Sequence, residues 1–216
     1  EILLIAAEKL IAALAIEIHT VEMHTGGEPV RIVTSGLPPI DGDTILAKRR
    51  FAQRHLDDLR RLLMHEPRGH ADMYGVFPVT PDDPQADLGA LFTHNEGYST
   101  MCGHATIALG RWAVDTGVVP RIEPVTSLAI QVPAGLIRLE VDTTGPTAGT
   151  VRFRSVPAFT IAIDHPIHID GHGPVPVDVA YGGAFYAFAD AAHFGLDVRN
   201  STTSDLVDAA WAVTNA

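Results

Sequence analysis

Residues 105–114 are apolar at nearly every position, with only a threonine and an arginine as clear polar interruptions. A helix over this run would have no side suited to water, and such helices belong in a core. Ser99 and Thr100, just ahead of the run, are residue types that cap helices. The pattern therefore predicts a buried helix that follows Thr100 and ends near Asp115.

Residues 44–65 have a different pattern, in which apolar side chains recur at three- and four-residue spacing. The predicted apolar stripe consists of Leu46, Phe51, Leu56, Leu59 and Leu63. The charged residues expected in water are Lys48, Arg49, Arg50, Arg54, Asp57, Asp58, Arg60 and Arg61. This pattern predicts one amphipathic surface helix. We interpret its basic cluster as a solvated face with ion pairs rather than as a nucleic-acid site, because the chain as a whole is acidic.

Runs rich in β-branched and aromatic residues between Gly and Pro clusters predict strands. The predicted strands are residues 16–23, 30–34, 73–79, 88–93, 128–132, 136–142, 151–163 and 177–188. Turns are predicted at 24–29 and 66–70, loops at 35–43, 80–87 and 165–176, and a helix at 204–212 with its cap within 201–204. We expect the aromatic side chains of the last strand to belong mainly to the core; these are Tyr181, Phe185, Tyr186 and Phe188.

Residues 1–15 form a strongly helix-favouring segment whose only polar members are Glu1, Glu8 and Lys9. A signal peptide would begin with basic residues, and fifteen residues are too few to span a bilayer. We interpret the segment as an extra apolar helix of unclear origin. A docked helix, an oligomer contact and a sequence foreign to the rest of the protein all remain open.

Composition limits the classes of function. The 216 residues are 46% hydrophobic, which is enough for one large domain or two small ones. The formal charge of −11 argues against nucleic acids and anionic membranes as partners. Cys102 is the only cysteine, which excludes an internal disulfide and a zinc site built on paired cysteines. A lone thiol stays reduced most readily in the cytoplasm, where we expect the protein to be.

Cys102 lies at the N-terminal end of the predicted buried helix, directly before Gly103 and His104. The N–H groups and partial positive charge of a helix N-terminus lower a thiol pKa and bind anions such as carboxylates. A single cysteine is more often a small buried hydrophobe than a reactive group. The sequence therefore leaves two readings, a structural thiol and a thiolate placed beside a carboxylate site.

Several segments, in order, resemble the proline racemase family. They are residues 23–29 (Met-His-Thr-Gly-Gly-Glu-Pro), 46–50 (Leu-Ala-Lys-Arg-Arg), 66–75 (Glu-Pro-Arg-Gly-His-Ala-Asp-Met-Tyr-Gly), 94–109 and 177–188. Met101-Cys102-Gly103-His104, followed by the small-residue helix, is similar to the first catalytic motif of that family. The resemblance extends from about Val21 to the end of the chain. Within the family, the sequence is most similar to members that dehydrate trans-3-hydroxy-L-proline.

The resemblance implies an α+β fold of the diaminopimelate-epimerase type, with two lobes that each wrap a mixed sheet around a central helix. On this basis we assign residues 16–160 to a first lobe that contains the Cys102 motif. Residues 161–216 are the start of a second lobe. The family's opposing Cys-Gly or Thr-Gly motif and its substrate-binding aspartate are absent from these residues. We therefore expect the second lobe to be truncated in this chain and further residues to follow Ala216.

The resemblance also implies the chemistry. Cys102 would be the base that removes the α-proton of an imino acid, and backbone N–H groups of Gly103 and His104 would hold the carboxylate. In dehydratases of the family, hydroxide then leaves C3 and a cyclic imine forms without a cofactor. Racemases and 4-hydroxyproline epimerases instead return the proton from the opposite face with a second thiol. A carboxylate-binding module or an inactive fragment is the alternative from another class.

The remaining candidate residues are less specific. His24, His70 and Asp72 are candidates to line the cleft, although each could equally stabilise a turn. We expect no metal and no cofactor, because no ordered ligand set or phosphate-binding glycine loop is present. The loosely spaced His165, His168 and His172 are assigned to a surface loop. A small imino acid is the expected partner, and a homodimer is left open.

Overall fold

The computed structural model describes residues 17–216, so the helix predicted over residues 1–15 lies outside the described residues. The chain divides into two units, one ending at Arg154 and one comprising Ser155–Ala216. The predicted lobe boundary at residue 160 lies within a strand of the second unit.

The first unit is a mixed sheet that curls around a helix. Its strands are β1 (His19–Thr25), β2 (Glu28–Ser35), β3 (Tyr74–Val79), β4 (Leu88–His94), β5 (Gly97–Ser99), β6 (Val125–Val132), β7 (Gly135–Asp142) and β8 (Val151–Arg154). Its helices are α1 (Ile45–His55), α2 (Asp57–Met64) and α3 (Gly103–Asp115). The strand order is β1-β2-β3-β4-β6-β7-β8, with β5 paired to β4. The β2–β3 and β4–β6 pairs are parallel and the others are antiparallel.

Helix α3 is the centre of this unit and confirms the predicted buried helix. It contacts strands at both ends of the strand order, β1 and β2 at one end and β7 and β8 at the other. Small residues allow this close approach: a Cβ atom built on Gly110 would lie 2.6 Å from a methyl carbon of Leu139. Ala105, Ala108 and Ala113 are likewise buried. The helix therefore serves as the core around which the sheet packs.

The single helix predicted over residues 44–65 is wrong, because the chain breaks at Leu56 into α1 and α2. Leu46, expected on the apolar stripe, is 45% exposed. Arg60, expected in water, is only 5% exposed and donates to Asp57 and to the carbonyls of His94 and Asn95. A buried guanidinium is tolerated only with such hydrogen-bond partners. The residue pattern of this segment does not predict the two carbonyl partners, which lie in a distant part of the sequence.

The second unit contains β9 (Phe159–Ile169), β10 (Gly173–Tyr181), β11 (Phe185–Phe188), a 3₁₀ turn (Ala191–Phe194) and α4 (Thr203–Asn215). The strands form an antiparallel sheet in the order β11-β10-β9. Ile169, Val175 and Val177 are its buried residues, packed against apolar side chains that include Ala212 and Val213 of α4.

Two predicted strands are each two strands in the structure. Residues 151–163 are interrupted between Arg154 and Phe159, at the border of the two units. Residues 177–188 are interrupted by a glycine turn in which Gly183 has a φ of +102°, a value that favours glycine. The predicted helix at 204–212 is confirmed as α4, and its cap is Thr202.

The loop predicted at residues 165–176 is wrong, because these residues form the ends of β9 and β10 and the turn between them. Proline-rich sequence favours a loop, but β10 pairs with β11 only from Asp178 onward. Pro174 and Pro176 therefore lie where β10 has a single neighbour, a position that tolerates proline. His165 and His168 are strand residues and His172 lies in the turn.

The aromatic residues of β11 are exposed, contrary to the core position expected for them. Phe185, Tyr186 and Phe188 are 69%, 56% and 57% exposed. β11 is an edge strand of its sheet, so its side chains have a neighbouring strand on one side only. Among residues 17–216, no helix has the length and apolar character needed to cross a bilayer.

Candidate active site

Helix α3 begins at Gly103, and Cys102 is its N-cap residue. The backbone of Cys102 is extended, with φ of −146° and ψ of 119°, and its sulfur accepts a hydrogen bond from the Ala105 N–H at 3.5 Å. Its carbonyl oxygen accepts from the N–H of Thr106 at 3.1 Å and from the hydroxyl of Thr106 at 2.6 Å. The expected caps, Ser99 and Thr100, lie further from the helix. The sulfur is thereby fixed at the helix N-terminus, where donors converge.

The side chain of His104 lies against this sulfur. His104 Nδ1 is 3.3 Å from Cys102 Sγ, and which ring nitrogen carries the proton depends on the tautomer. The Thr25 hydroxyl donates to the His104 carbonyl at 2.9 Å, which ties the β1–β2 hairpin to the first turn of α3. Depending on its tautomer, the imidazole of His104 can therefore donate a hydrogen bond to the sulfur or accept one from the thiol.

Tyr74, at the start of β3, completes the surroundings of the sulfur. Its ring meets the His104 ring edge-on, with centroids 4.8 Å apart, and its hydroxyl hydrogen-bonds to Cys102. Tyr74 was not among the candidates from sequence, although it lies in the segment of residues 66–75 that carries the family resemblance. Nothing in the sequence pattern distinguishes it, since its contacts arise from the sheet register and from α3.

Burial dominates the electrostatics of Cys102. The residue is only 8% exposed, and this burial raises the pKa of its thiol. Hydrogen bonds from the Ala105 N–H, the Tyr74 hydroxyl and the His104 N–H lower that pKa in part, while the Glu28 carboxylate raises it further. The expectation that the helix N-terminus lowers the pKa below its usual value is therefore wrong: the helix end acts in the expected direction, but desolvation is larger.

Gly103 is the first residue of α3, and its lack of a side chain is not required by the fold. A Cβ atom at this position would meet the Phe153 ring at 3.4 Å, an ordinary contact distance. Its φ is not positive, so an L side chain would be unstrained there. Packing therefore does not explain the glycine at this position.

The turn from His94 to Gly97, ahead of the Cys102 motif, is held by buried and half-buried donors. Arg60 donates to the carbonyls of His94 and Asn95, each at 2.6 Å, and Asn95 donates to the carbonyls of Met64 and His70. Burial, followed by the charge of Arg60, lowers the pKa of His94. This turn is therefore a fixed support for the segment that leads to Cys102.

The three weaker candidates are exposed and lie on segments adjoining the site. His24 accepts from the Gly27 N–H at 3.4 Å, which is the turn-stabilising role weighed from sequence. His70 Nδ1 lies 2.5 Å from the Ala71 carbonyl, and Asp72 has a φ of +65°, so both belong to the turn before β3. Within residues 17–216, no three His, Cys, Asp or Glu side chains are grouped as a metal site.

Comparisons with known proteins agree with the resemblance seen in the sequence. The chain is 58% identical over 197 residues to the trans-L-3-hydroxyproline dehydratase of Xenopus tropicalis, which covers 91% of the chain and 57% of that protein. It is 50% identical over 188 residues to the 3-hydroxyproline 2-epimerase of Burkholderia multivorans, covering 87% of the chain and 56% of the epimerase. The chain thus spans little more than half the length of these relatives.

A solved structure gives the same result at the level of the fold. The hydroxyproline epimerase of Agrobacterium vitis, solved with bound trans-4-hydroxy-L-proline, superposes with a TM-score of 0.82 at 25% identity. The superposition covers 89% of this chain and 56% of the epimerase, and it confirms the predicted fold class. The sequence model of the family described as proline racemase matches residues 20–216. The chain belongs to the proline racemase family.

Proposed function

We propose that this chain carries the Cys102 side of a site that dehydrates trans-3-hydroxy-L-proline to pyrroline-2-carboxylate. The single observation that carries the proposal is the placement of Cys102. It is the N-cap of a buried helix, with its sulfur in contact with His104 Nδ1, the Tyr74 hydroxyl and the Ala105 N–H. The 58% identity to a dehydratase supports the choice of substrate.

The proposed first step is removal of the α-proton by the Cys102 thiolate. A proton next to a carboxylate is weakly acidic, because its loss adds negative charge to a group that is already anionic. Backbone N–H groups of Gly103 and His104, at the positive end of α3, would bind the carboxylate and stabilise this charge. The electron pair left at the α-carbon forms the C2–C3 double bond as hydroxide leaves C3.

The proton balance then closes without a redox partner. The departing hydroxide takes one proton from the medium to become water. The Cys102 thiol then releases the α-proton to the medium, which restores the thiolate with no net change in protons. The enamine product rearranges to the cyclic imine by moving one proton from nitrogen to C3. The proposed reaction requires neither a metal nor an organic cofactor, and it takes place in a compartment that keeps the thiol reduced, such as the cytoplasm. His24, His70 and Asp72 are kept as residues that could border the bound imino acid.

A second candidate function is epimerisation at the α-carbon, favoured by the 50% identity to the 3-hydroxyproline 2-epimerase. Both reactions begin with the same proton removal. They differ in whether C3 loses its hydroxyl or the α-carbon regains a proton on its other face. The Cys102 surroundings described above serve either course, so the choice depends on the group that faces Cys102 across the substrate.

The test is to offer trans-3-hydroxy-L-proline, trans-4-hydroxy-L-proline and L-proline separately to the purified protein in deuterated water. We expect NMR to detect cyclic imine from the first substrate and no inversion of the other two. Inversion with deuterium incorporated at the α-carbon would replace the dehydratase by the epimerase or racemase. Binding of the planar pyrrole-2-carboxylate without turnover of any substrate would leave only a carboxylate-binding module.

A further inference from the structure

Tyr74 is held in place by rings on three sides. It pairs with His94 across the β3–β4 ladder, and the two rings stack with centroids 5.7 Å apart and an interplanar angle of 23°. Its ring lies 6.3 Å from that of the fully buried Phe92 and meets His104 edge-on at 4.8 Å. The position of the Tyr74 hydroxyl is therefore set by the sheet register and by α3, not by a mobile loop.

The Cys102 sulfur needs donors, because a buried thiolate without them is strongly disfavoured. The Ala105 N–H is a long contact at 3.5 Å. His104 Nδ1, at 3.3 Å, donates only in one of the two neutral tautomers or when the ring is protonated. A tyrosine hydroxyl carries its proton throughout the neutral range and can always donate. Of the two side chains against the sulfur, Tyr74 is thus the one whose donor role does not depend on pH or tautomer near neutrality.

We propose that the Tyr74 hydroxyl is a further catalytic group of this site: it donates a hydrogen bond to Cys102 Sγ that stabilises the thiolate before proton removal. The proposal rests on the proposed role of Cys102 as the base. In this role Tyr74 acts on the reacting sulfur and does not itself bind the substrate. Loss of the hydroxyl would leave a sulfur that ionises only at higher pH.

The experiment is a titration of the thiolate by its absorbance near 240 nm, with the Cys102→Ser protein as the blank. We expect Tyr74→Phe to raise the apparent pKa of Cys102 and to reduce the thiolate population at neutral pH roughly 10- to 100-fold, as for the loss of one hydrogen bond to a charged group. The rate of alkylation by iodoacetamide should fall by a similar factor. The acidic limb of the kcat/KM profile should move to higher pH, with less change in rate above the new pKa.

Tyr98→Phe is the matched control, since Tyr98 is buried and its hydroxyl donates to the Ala52 carbonyl at 3.2 Å rather than to the sulfur. This variant should titrate like the unmodified protein. Identical thiol titrations of Tyr74→Phe and the unmodified protein, with both folded by circular dichroism, would overturn the proposal.

A reciprocal measurement keeps the test decisive if Tyr74→Phe fails to fold. A thiolate beside a phenol raises the pKa of that phenol, so Cys102→Ala should shift the alkaline titration of one of the four tyrosines to lower pH. An unchanged tyrosine titration would again reject the contact. Both titrations are made without substrate, so the Tyr74 proposal can fail while turnover is observed, and turnover can fail while the titrations shift.

Discussion

Helices α3 and α4 are alike in sequence and opposite in environment. Each has thirteen residues, and each consists mainly of small and apolar side chains. Helix α3 buries seven of them, from Ala105 to Val114, whereas α4 has no fully buried residue. The composition of a helix therefore does not decide its burial; the number of strands that surround it does.

The caps of the two helices differ in a second way. Thr202 is a conventional N-cap, and its hydroxyl accepts from the Asp205 N–H at 3.3 Å. Cys102 occupies the same position on α3, although sulfur is a weak acceptor and cysteine is not among the preferred caps. A serine or threonine would cap α3 at least as well. Helix stability therefore does not explain the cysteine, which agrees with the chemical role proposed for it.

The largest effect should come from exchanging the sulfur for oxygen. We expect Cys102→Ser to reduce turnover of trans-3-hydroxy-L-proline by roughly 10²- to 10⁴-fold, the usual contribution of a general base. A serine hydroxyl ionises far above neutral pH and cannot replace the thiolate. The free energy of unfolding should change by no more than about 1 kcal/mol, because serine is a good cap. Initial rates and urea unfolding measure the two quantities.

The matched control is Thr202→Ser at the cap of α4, which should leave the rate unchanged. If Cys102→Ser retained most of the turnover, the cysteine would be a structural residue and the difference between the two caps would carry no chemical meaning.

The second prediction concerns the cores of the two helices. Leu109 in α3 is fully buried, so Leu109→Ala should lower the free energy of unfolding by about 2–5 kcal/mol. Leu206 in α4 is half-buried, and Leu206→Ala should cost roughly 1 kcal/mol. The chain has one tryptophan on each helix, Trp112 and Trp211. With the other tryptophan replaced by phenylalanine, urea unfolding followed by fluorescence reports each helix separately. Equal losses at the two sites would show that α4 is as firmly packed as α3.

The sequence predicted the structure correctly where the residue pattern within a single segment was sufficient. Residues 105–114 are apolar except at Thr106 and Arg111, and this pattern correctly predicted a buried helix. The prediction that Cys102 lies at the N-terminal end of this helix is confirmed, but the expected capping residues were wrong. Ser99 is a typical cap by type, yet it lies in β5 and its hydroxyl donates to the Met101 carbonyl. Capping types were thus a weaker guide than the position of the apolar run, which placed Cys102 at the helix end.

The features that were missed depend on contacts between distant segments. Arg60 is buried because two carbonyls, of His94 and Asn95, come within reach of its guanidinium. Tyr74 reaches the sulfur only because β3 pairs with β4 and α3 packs against the sheet. The direction of the shift in the Cys102 pKa was predicted wrongly for the same reason. The helix terminus can be predicted from the sequence, but the extent of burial of the thiol cannot.

The smallest expected effect again separates the two caps, through the dependence of stability on pH. Burial raises the pKa of Cys102 in the folded protein above that of the unfolded chain. Between these two values the folded state holds more protons than the unfolded state, so the free energy of unfolding falls as pH rises. The stability is fully present below the unfolded thiol pKa, about 8.5, and is lost as pH rises through the folded value. Each tenfold difference between the acid constants contributes about 1.4 kcal/mol.

Thr202 does not titrate, so the unfolding transition seen by Trp112 should shift in this range while that seen by Trp211 should not. Cys102→Ala should remove the shift; its persistence in that variant would assign the alkaline loss to another group and leave the two caps indistinguishable by pH.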